Sequence, residues 1–266
     1  MIQLNFPSSP NLQKAELAED IIGWDVVNWL QALDYWESKV TLGKEDYRIA
    51  EVGCAYGGLS LWFALKGYKV LCSDYKGVSN ETKAIHKKYN VTEMMTYEDI
   101  DARSIPYENS FDIICYKSIL GDIVRDGSFD VVQGVITSMA RALKPNGKLL
   151  FAENLSGTRL HELLRKKYGS RRNRWKYFTI EEIIDLHANF SSLEFITFGF
   201  TGCFGRNERQ RKVFATIDQW LFDRTLPYNW KYIVAGVATK APSVEAKNII
   251  SPSREIPAFR EVADRS

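Results

Sequence analysis

The chain has 266 residues and a formal net charge of +2, from 35 Lys and Arg against 33 Asp and Glu. So balanced a surface offers no global field for nucleic acid, and no apolar run approaches the ~20 residues of a membrane span. Cys54, Cys72, Cys115 and Cys203 form no C-x-x-C pair and read as small buried hydrophobes, while the three histidines lack metal-ligand spacing, so no metal site is expected.

Residues 1–20 have no basic start followed by an apolar block, so a cytoplasmic protein is expected. Met1–Asn11 holds Pro7 and Pro10 and is expected to be irregular. From Asp25 to Lys39, Val26, Trp29, Leu30, Leu33 and Trp36 recur at helical spacing, with Asp25 capping or charging the start. This helix either covers a sheet edge or forms a lid, with Trp29, Tyr35 or Trp36 lining a pocket.

Arg48–Tyr75 organises the chain. Arg48–Val52 is a short buried strand, Gly53–Gly58 a loop of small residues, Leu59–Lys66 a helix, and Lys69–Ser73 a second strand ending at Asp74. Strand, glycine loop, helix, strand and acid make half of a nucleotide-binding α/β unit. Glycines let the backbone turn sharply against a ligand, and the helix start offers free N–H groups. Asp74 lies where a carboxylate accepts ribose hydroxyls. A dinucleotide and S-adenosylmethionine both suit this machinery. The G-x-G-x-x-G pattern is met only loosely by Gly53, Ala55 and Gly58. The pattern acid-x-Gly-x-Gly-x-Gly is met by Glu51, Gly53 and Gly57, with Ala55 replacing the middle glycine. Here the sequence resembles the class I S-adenosylmethionine-dependent methyltransferases.

Asn80–Tyr89 reads as a helix with a solvated basic face that includes His86. Met94–Tyr97 is a weak strand. Asp101-Ala102, then Pro106-Tyr107 and the buried run Phe111–Tyr116, are similar to the family's adenine-binding turn and fourth strand. The resemblance implies that Asp101 accepts from the adenine amino group and that the Ala102 N–H binds a ring nitrogen. It also implies that Glu51, Gly53, Gly57 and Asp74 hold the ribose and amino-acid parts. Lys117 follows the fourth strand, at the end that faces the crevice in open parallel sheets. It is a candidate for holding an acidic acceptor or orienting its hydroxyl, or it pairs with an acid such as Asp122.

Phe129–Leu143 reads as a helix, stopped by Pro145 with Asn146-Gly147 turning into a fifth strand, Lys148–Ala152. Glu153 at its end is a general base or hydroxyl ligand, or a capping residue. Thr158–Tyr168 is a helix whose His161 is a candidate base or a surface residue. Residues 165–176 carry seven cations and no acid, a solvated run or an anion site. Thr179 and Glu182 form a capping box, with His187 at the far helix end on the surface. Leu193–Phe200 is a strand, Arg209–Phe222 a helix and Trp230–Thr239 a final strand.

The expected fold is a three-layer α/β sandwich with a Rossmann-like, mostly parallel seven-stranded sheet and a C-terminal antiparallel hairpin. One domain is expected over residues 1–240, with residues 1–44 as a helical cap and 241–266 as a loosely held tail. The resemblance implies methyl transfer from S-adenosylmethionine to a small-molecule or glycan acceptor. Gly57–Trp62 and Tyr116–Gly121 look similar to methyltransferases of bacterial surface-polysaccharide synthesis. Lys117, Glu153 and His161 are the acceptor-side candidates. Two other classes stay open: an NAD-dependent oxidoreductase, and a binding protein that keeps the cofactor fold without turnover.

Overall fold

The computed structural model describes residues 11–42, 46–124, 128–168 and 175–243. Seven strands form one sheet in the order β3-β2-β1-β4-β5-β7-β6. They are β1 (Ile49–Val52), β2 (Val70–Asp74), β3 (Met95–Asp99), β4 (Phe111–Lys117), β5 (Leu143–Asn154), β6 (Ser192–Phe198) and β7 (Ile233–Thr239). β1 to β5 pair in parallel, and β7 runs antiparallel between β5 and β6. This is the expected architecture, hairpin included.

The central strands are buried on both faces, as near-continuous apolar runs demand. Alternation then sorts the layers. Ile49, Ile113, Cys115 and Leu150 pack under α1 (Asn11–Ile22), α2 (Val26–Lys39) and α3 (Gly58–Leu65). Ala50, Val52, Ile114 and Tyr116 pack under α6 (Phe129–Ala142) and α8 (Ile180–Leu186). In chain order the remaining helices of this part are α4 (Asn80–Lys88), α5 (Leu120–Ile123) and α7 (Arg159–Tyr168). α8 has the expected capping box, with both reciprocal bonds formed.

Trp29, Leu33 and Trp36 are the buried stripe of α2. Trp36 Nε1 donates to the Gly236 carbonyl of β7 at 3.1 Å, so Trp36 is a core residue and lines no pocket. Asp25 precedes α2 in the left-handed region, φ 49°, and its side chain makes no cap bond there.

Three expectations change. α1 was not foreseen, because its sequence has little amphipathic contrast; Leu17, Ile21 and Ile22 still bury against α3. β5 starts at Leu143, directly after α6: Leu143 pairs with Phe111, and a register shift follows before Lys148 resumes pairing with Ile113. The helix expected over Arg209–Phe222 divides into α9 (Glu208–Ile217), a π-helical turn (Asp218–Phe222) and α10 (Asp223–Thr225). Residues 1–10, 169–174 and 244–266 lie outside the described residues, so the expected irregular start (apart from Asn11, which opens α1), most of the expected tail and the middle of the basic run go unassigned.

α1 crosses the first residue of α3 closely. A Cβ on Gly58 would stand 1.9 Å from the Ile21 carbonyl oxygen, so the backbones meet only because Gly58 has no side chain. Gly58→Ala is therefore expected to separate α1 from α3 and destabilise the protein by roughly 1–3 kcal/mol, the range of core overpacking. Thermal unfolding measures it. An unchanged melting temperature would contradict this contact.

Candidate cofactor and acceptor site

Glu51 sits on β1 with its carboxylate inside the sheet. Its Oε2 accepts from the Ser60 N–H at 2.8 Å and from the Ser60 hydroxyl at 2.6 Å. These bonds tie the strand to the first turn of α3 and orient the loop between them. Burial pushes the Glu51 carboxyl up to about 7.

The loop takes left-handed backbone at Gly53 (φ 71°), Ala55 (φ 48°) and Gly57 (φ 70°). A Cβ at Gly57 would strike Thr82 and His86 at 2.5 and 2.7 Å, so this glycine is required twice over. The Ala55 N–H donates to Asp74 Oδ2 at 2.7 Å, which fastens the loop to the end of β2. His86 is not on a solvated face. It is fully buried, its Nε2–H donates to the Gly57 carbonyl at 2.9 Å, and its Nδ1 accepts from the Tyr97 hydroxyl at 2.9 Å. Burial lowers its pKa and keeps the ring neutral for that pairing. The helical reading of His86 with three lysines hid this, since Thr82 and His86 share the inner face of α4.

At the next strand end, Asp101 opens a 3-10 turn, Ala102–Ser104, by accepting from the Arg103 N–H at 2.9 Å. The Arg103 guanidinium also clasps the Asp101 carboxylate, which holds it below the usual carboxylate range. Arg103 lies over the exposed ring of Tyr75, 5.6 Å from its centroid. Ala102 is buried.

Lys117 ends β4. Register pairs Glu51 with Cys115, so Lys117 stands two residues beyond, on the same sheet face. Its ammonium lies 4.9 Å from the Trp29 ring centroid, a cation–π contact. Desolvation lowers its pKa to about 8, opposed by the carboxylates of Glu51 and Glu153. A cavity of about 60 Å³ joins Lys117 to Glu51, the loop and the end of α1 at Asp20–Gly23.

Glu153 and His161 are placed otherwise. Glu153 is fully buried; Oε2 accepts from the Leu120 N–H at 3.0 Å and Oε1 from the Asn154 N–H at 2.9 Å, so the carboxylate caps α5. His161 is neither exposed nor available as a base. Its Nδ1 accepts from the Thr158 N–H and its Nε2–H donates to the Phe200 carbonyl, at 3.1 and 2.8 Å. Phe204 stacks on it at 5.0 Å. His187 is also buried, its Nδ1–H donating to the Ile183 carbonyl and its ring stacked 4.2 Å from Phe151.

Sequence reasoning missed a buried polar group beside α2. The Asn28 amide donates to the Tyr232 hydroxyl at 2.8 Å and to Asp218 Oδ2 at 3.2 Å, and Tyr232 donates to Asp25. Asp218 also receives the Thr201 and Gly202 N–H groups, at 2.8 and 2.9 Å. Burial raises Asp25 to about 7. Asp25 and Asn28 lie together at the start of α2, but Asp218 and Tyr232 lie 190 and 204 residues beyond Asn28, and no spacing rule links them.

Burial lifts the Glu153 carboxyl to about 7, above an unfolded value near 4.5. Between those values the folded state binds more protons, so stability falls as pH rises through that window. The contribution is on the order of 3 kcal/mol. Glu153→Gln is expected to make the stability loss between pH 5 and pH 8 shallower, measured by urea denaturation at both pH values. An unaltered slope would contradict the burial assignment.

Residues 50–151 match the family model described as the methyltransferase domain. A search of curated proteins finds no match. Among solved structures, the chain resembles phosphoethanolamine N-methyltransferase 2 of Haemonchus contortus in complex with S-adenosyl-L-methionine, at 18% identity and TM-score 0.55. The alignment covers 80% of this chain and 53% of that one, so this chain spans about half the length of that enzyme. The same enzyme with phosphomonomethylethanolamine and S-adenosylhomocysteine gives 17% identity, TM-score 0.52 and the same coverage. A Thermotoga maritima S-adenosylmethionine-dependent methyltransferase, a possible histamine N-methyltransferase, gives 16% identity and TM-score 0.53, over 86% of this chain and 96% of that one. These likenesses are likenesses of fold, and they agree with the methyltransferase domain matched over residues 50–151.

Proposed function

We propose that the chain transfers a methyl group from S-adenosylmethionine to an oxygen or nitrogen of a small-molecule acceptor, with a sugar hydroxyl the foremost candidate. The observation that carries this is the left-handed loop at Gly53, Ala55 and Gly57, tied to Asp74 and opening beside Lys117.

The residues fit the cofactor. Glu51 shapes the loop, Gly53 and Gly57 bring bare backbone to it, and Asp74 keeps Oδ1 for the ribose while Oδ2 holds Ala55. Asp101 and Ala102 would take the adenine. The Asp101–Arg103 pair is part exposed on both sides, so solvent screens it and it is held weakly. An adenine amino group can therefore displace Arg103 at small expense. The same region disfavours a dinucleotide. A pyrophosphate sits at the helix N-terminus in that fold, and here the Ile21 carbonyl covers the first residue of α3.

When bound, S-adenosylmethionine supplies a methyl group already activated by its sulfonium. The chain's own residues position the acceptor, exclude water and, for a hydroxyl acceptor, take its proton. Lys117 suits that task, because at about 8 its amine is partly neutral near physiological pH. The buried Trp29 Nε1–H has no partner among the described residues and is a second donor near Lys117. The Haemonchus enzyme's complex with phosphomonomethylethanolamine supports a small acceptor, and the motif likeness to polysaccharide methyltransferases favours a sugar. Glu153 and His161 take no part in this chemistry, since their polar atoms are engaged in the fold.

Calorimetric titration with S-adenosylhomocysteine tests the cofactor. Binding near the micromolar range is expected, weakened by roughly tenfold or more in Asp74→Ala. Binding of NAD in its place would overturn the reading. For Lys117→Met, cofactor affinity is expected to hold while turnover of a hydroxyl acceptor falls on the order of 100-fold. In the wild type, kcat/KM should rise with pH to a plateau above about 8, where Lys117 is neutral. A rate that falls through this range would assign Lys117 to holding an anionic acceptor as a cation.

A further inference from the structure

α9 and the turns that follow it invert the usual surface pattern. A surface helix ordinarily buries its apolar face and shows its charges. Here the acids face inward and are satisfied there. Glu208 accepts from the Asp25 and Val26 N–H groups and pairs with Arg211. Asp218 is fully buried and holds the Thr201–Gly202 backbone. Asp223 accepts from the Gly199 N–H and the Gln31 amide, at 2.7 and 3.1 Å.

The outward side is apolar and basic. Trp220 is 74% exposed, Val213 60% and Tyr228 55%, and Ile217, Leu221 and Trp230 are exposed with them. Arg206, Arg209, Lys212 and Arg224 are the exposed charges of the segment. Six of the eleven large hydrophobics exposed among the described residues fall in these eighteen positions, 213–230. The π-helical turn assists this arrangement. Its extra residue lets Asp218 stay inside, and Phe222 pack 5.3 Å from Phe200, while Trp220 and Leu221 point out. The last turn is tied back by Leu226 N–H to the Phe222 carbonyl and by Lys231 to the Asp223 carbonyl.

We propose that this segment, Arg206 to Trp230, is a docking face for an anionic lipid surface. Tryptophan and aliphatic side chains flanked by arginine and lysine are the pattern of segments that lie in the headgroup boundary. The charge argues for lipid over a second copy of the chain, because two such faces would oppose cation to cation, whereas anionic headgroups complement all four. The proposal is independent of the methyl-transfer reading.

The test is co-sedimentation of the full chain with vesicles of phosphatidylcholine, alone or with about one-third phosphatidylglycerol. Binding to the anionic vesicles is expected, roughly tenfold weaker on neutral ones and weaker at high salt. Trp220→Ala and the double reversal Arg209→Glu/Lys212→Glu should each lower binding by about tenfold. Both alter exposed side chains, so circular dichroism should be unchanged, and the second variant stands if the first fails to fold. No binding to anionic vesicles, or variants that bind as the wild type does, would overturn the proposal. So would a wild-type dimer that Trp220→Ala converts to monomer, which would give the face to a second copy. RNA capture lost in the same variants, without vesicle binding, would overturn it too.

Discussion

Everything at the ligand edge of the sheet depends on one buried carboxylate. Glu51 sits inside a parallel sheet, where a charge is expensive, and is retained by the Ser60 N–H and hydroxyl at 2.8 and 2.6 Å. That pair joins the end of β1 to the start of α3 and leaves a tight turn with left-handed backbone at Gly53, Ala55 and Gly57. The turn is then closed from three sides. Asp74 takes the Ala55 N–H, His86 donates to the Gly57 carbonyl, and α1 lays the Ile21 carbonyl on Gly58. The loop is preorganised before any ligand arrives, so a ligand need not order it.

The same low-dielectric setting acts on the residues of the proposed acceptor side. Lys117 follows Glu51 on the same sheet face, two residues past its register partner, and is pushed down to about 8 while Glu51 and Glu153 are pushed up to about 7. Groups moved toward neutrality from opposite directions can exchange a proton at moderate driving force, which is the condition for acid–base work. Glu153 spends its lone pairs on the α5 backbone, and so Lys117 is the residue that keeps its polar end toward the cavity.

Much of this was legible in the sequence, and unevenly so. The strand–loop–helix–strand unit from Arg48 to Asp74 was readable because its physics is local: glycine positions, an apolar run and an acid at a set distance. The parallel order and the closing hairpin followed from the resemblance and stand in the structure. All three histidines were misread as exposed or catalytic. Each is buried and bonded to a carbonyl; for His86 and His161 that partner is 29 or 39 residues away and leaves no trace in local pattern, and His187 is buried by its distant stacking partner Phe151. α1 escaped notice because what it buries is backbone against Gly58 as much as side chains. The network of Asp25, Asn28, Asp218 and Tyr232 was invisible for the same reason, being assembled from the start of α2, the π-helical turn and the approach to β7. The inverted polarity of α9 was missed because a helical stripe of valine, isoleucine and tryptophan is ordinarily a core face.

The most direct measurement is a crystal structure of the chain with S-adenosylhomocysteine. The account predicts ribose hydroxyls on Asp74, adenine at Asp101 and Ala102 with Arg103 turned away, and the sulfur facing the cavity at Lys117. A ligand bound elsewhere, or one at this loop with its sulfur turned away from Lys117, would contradict it.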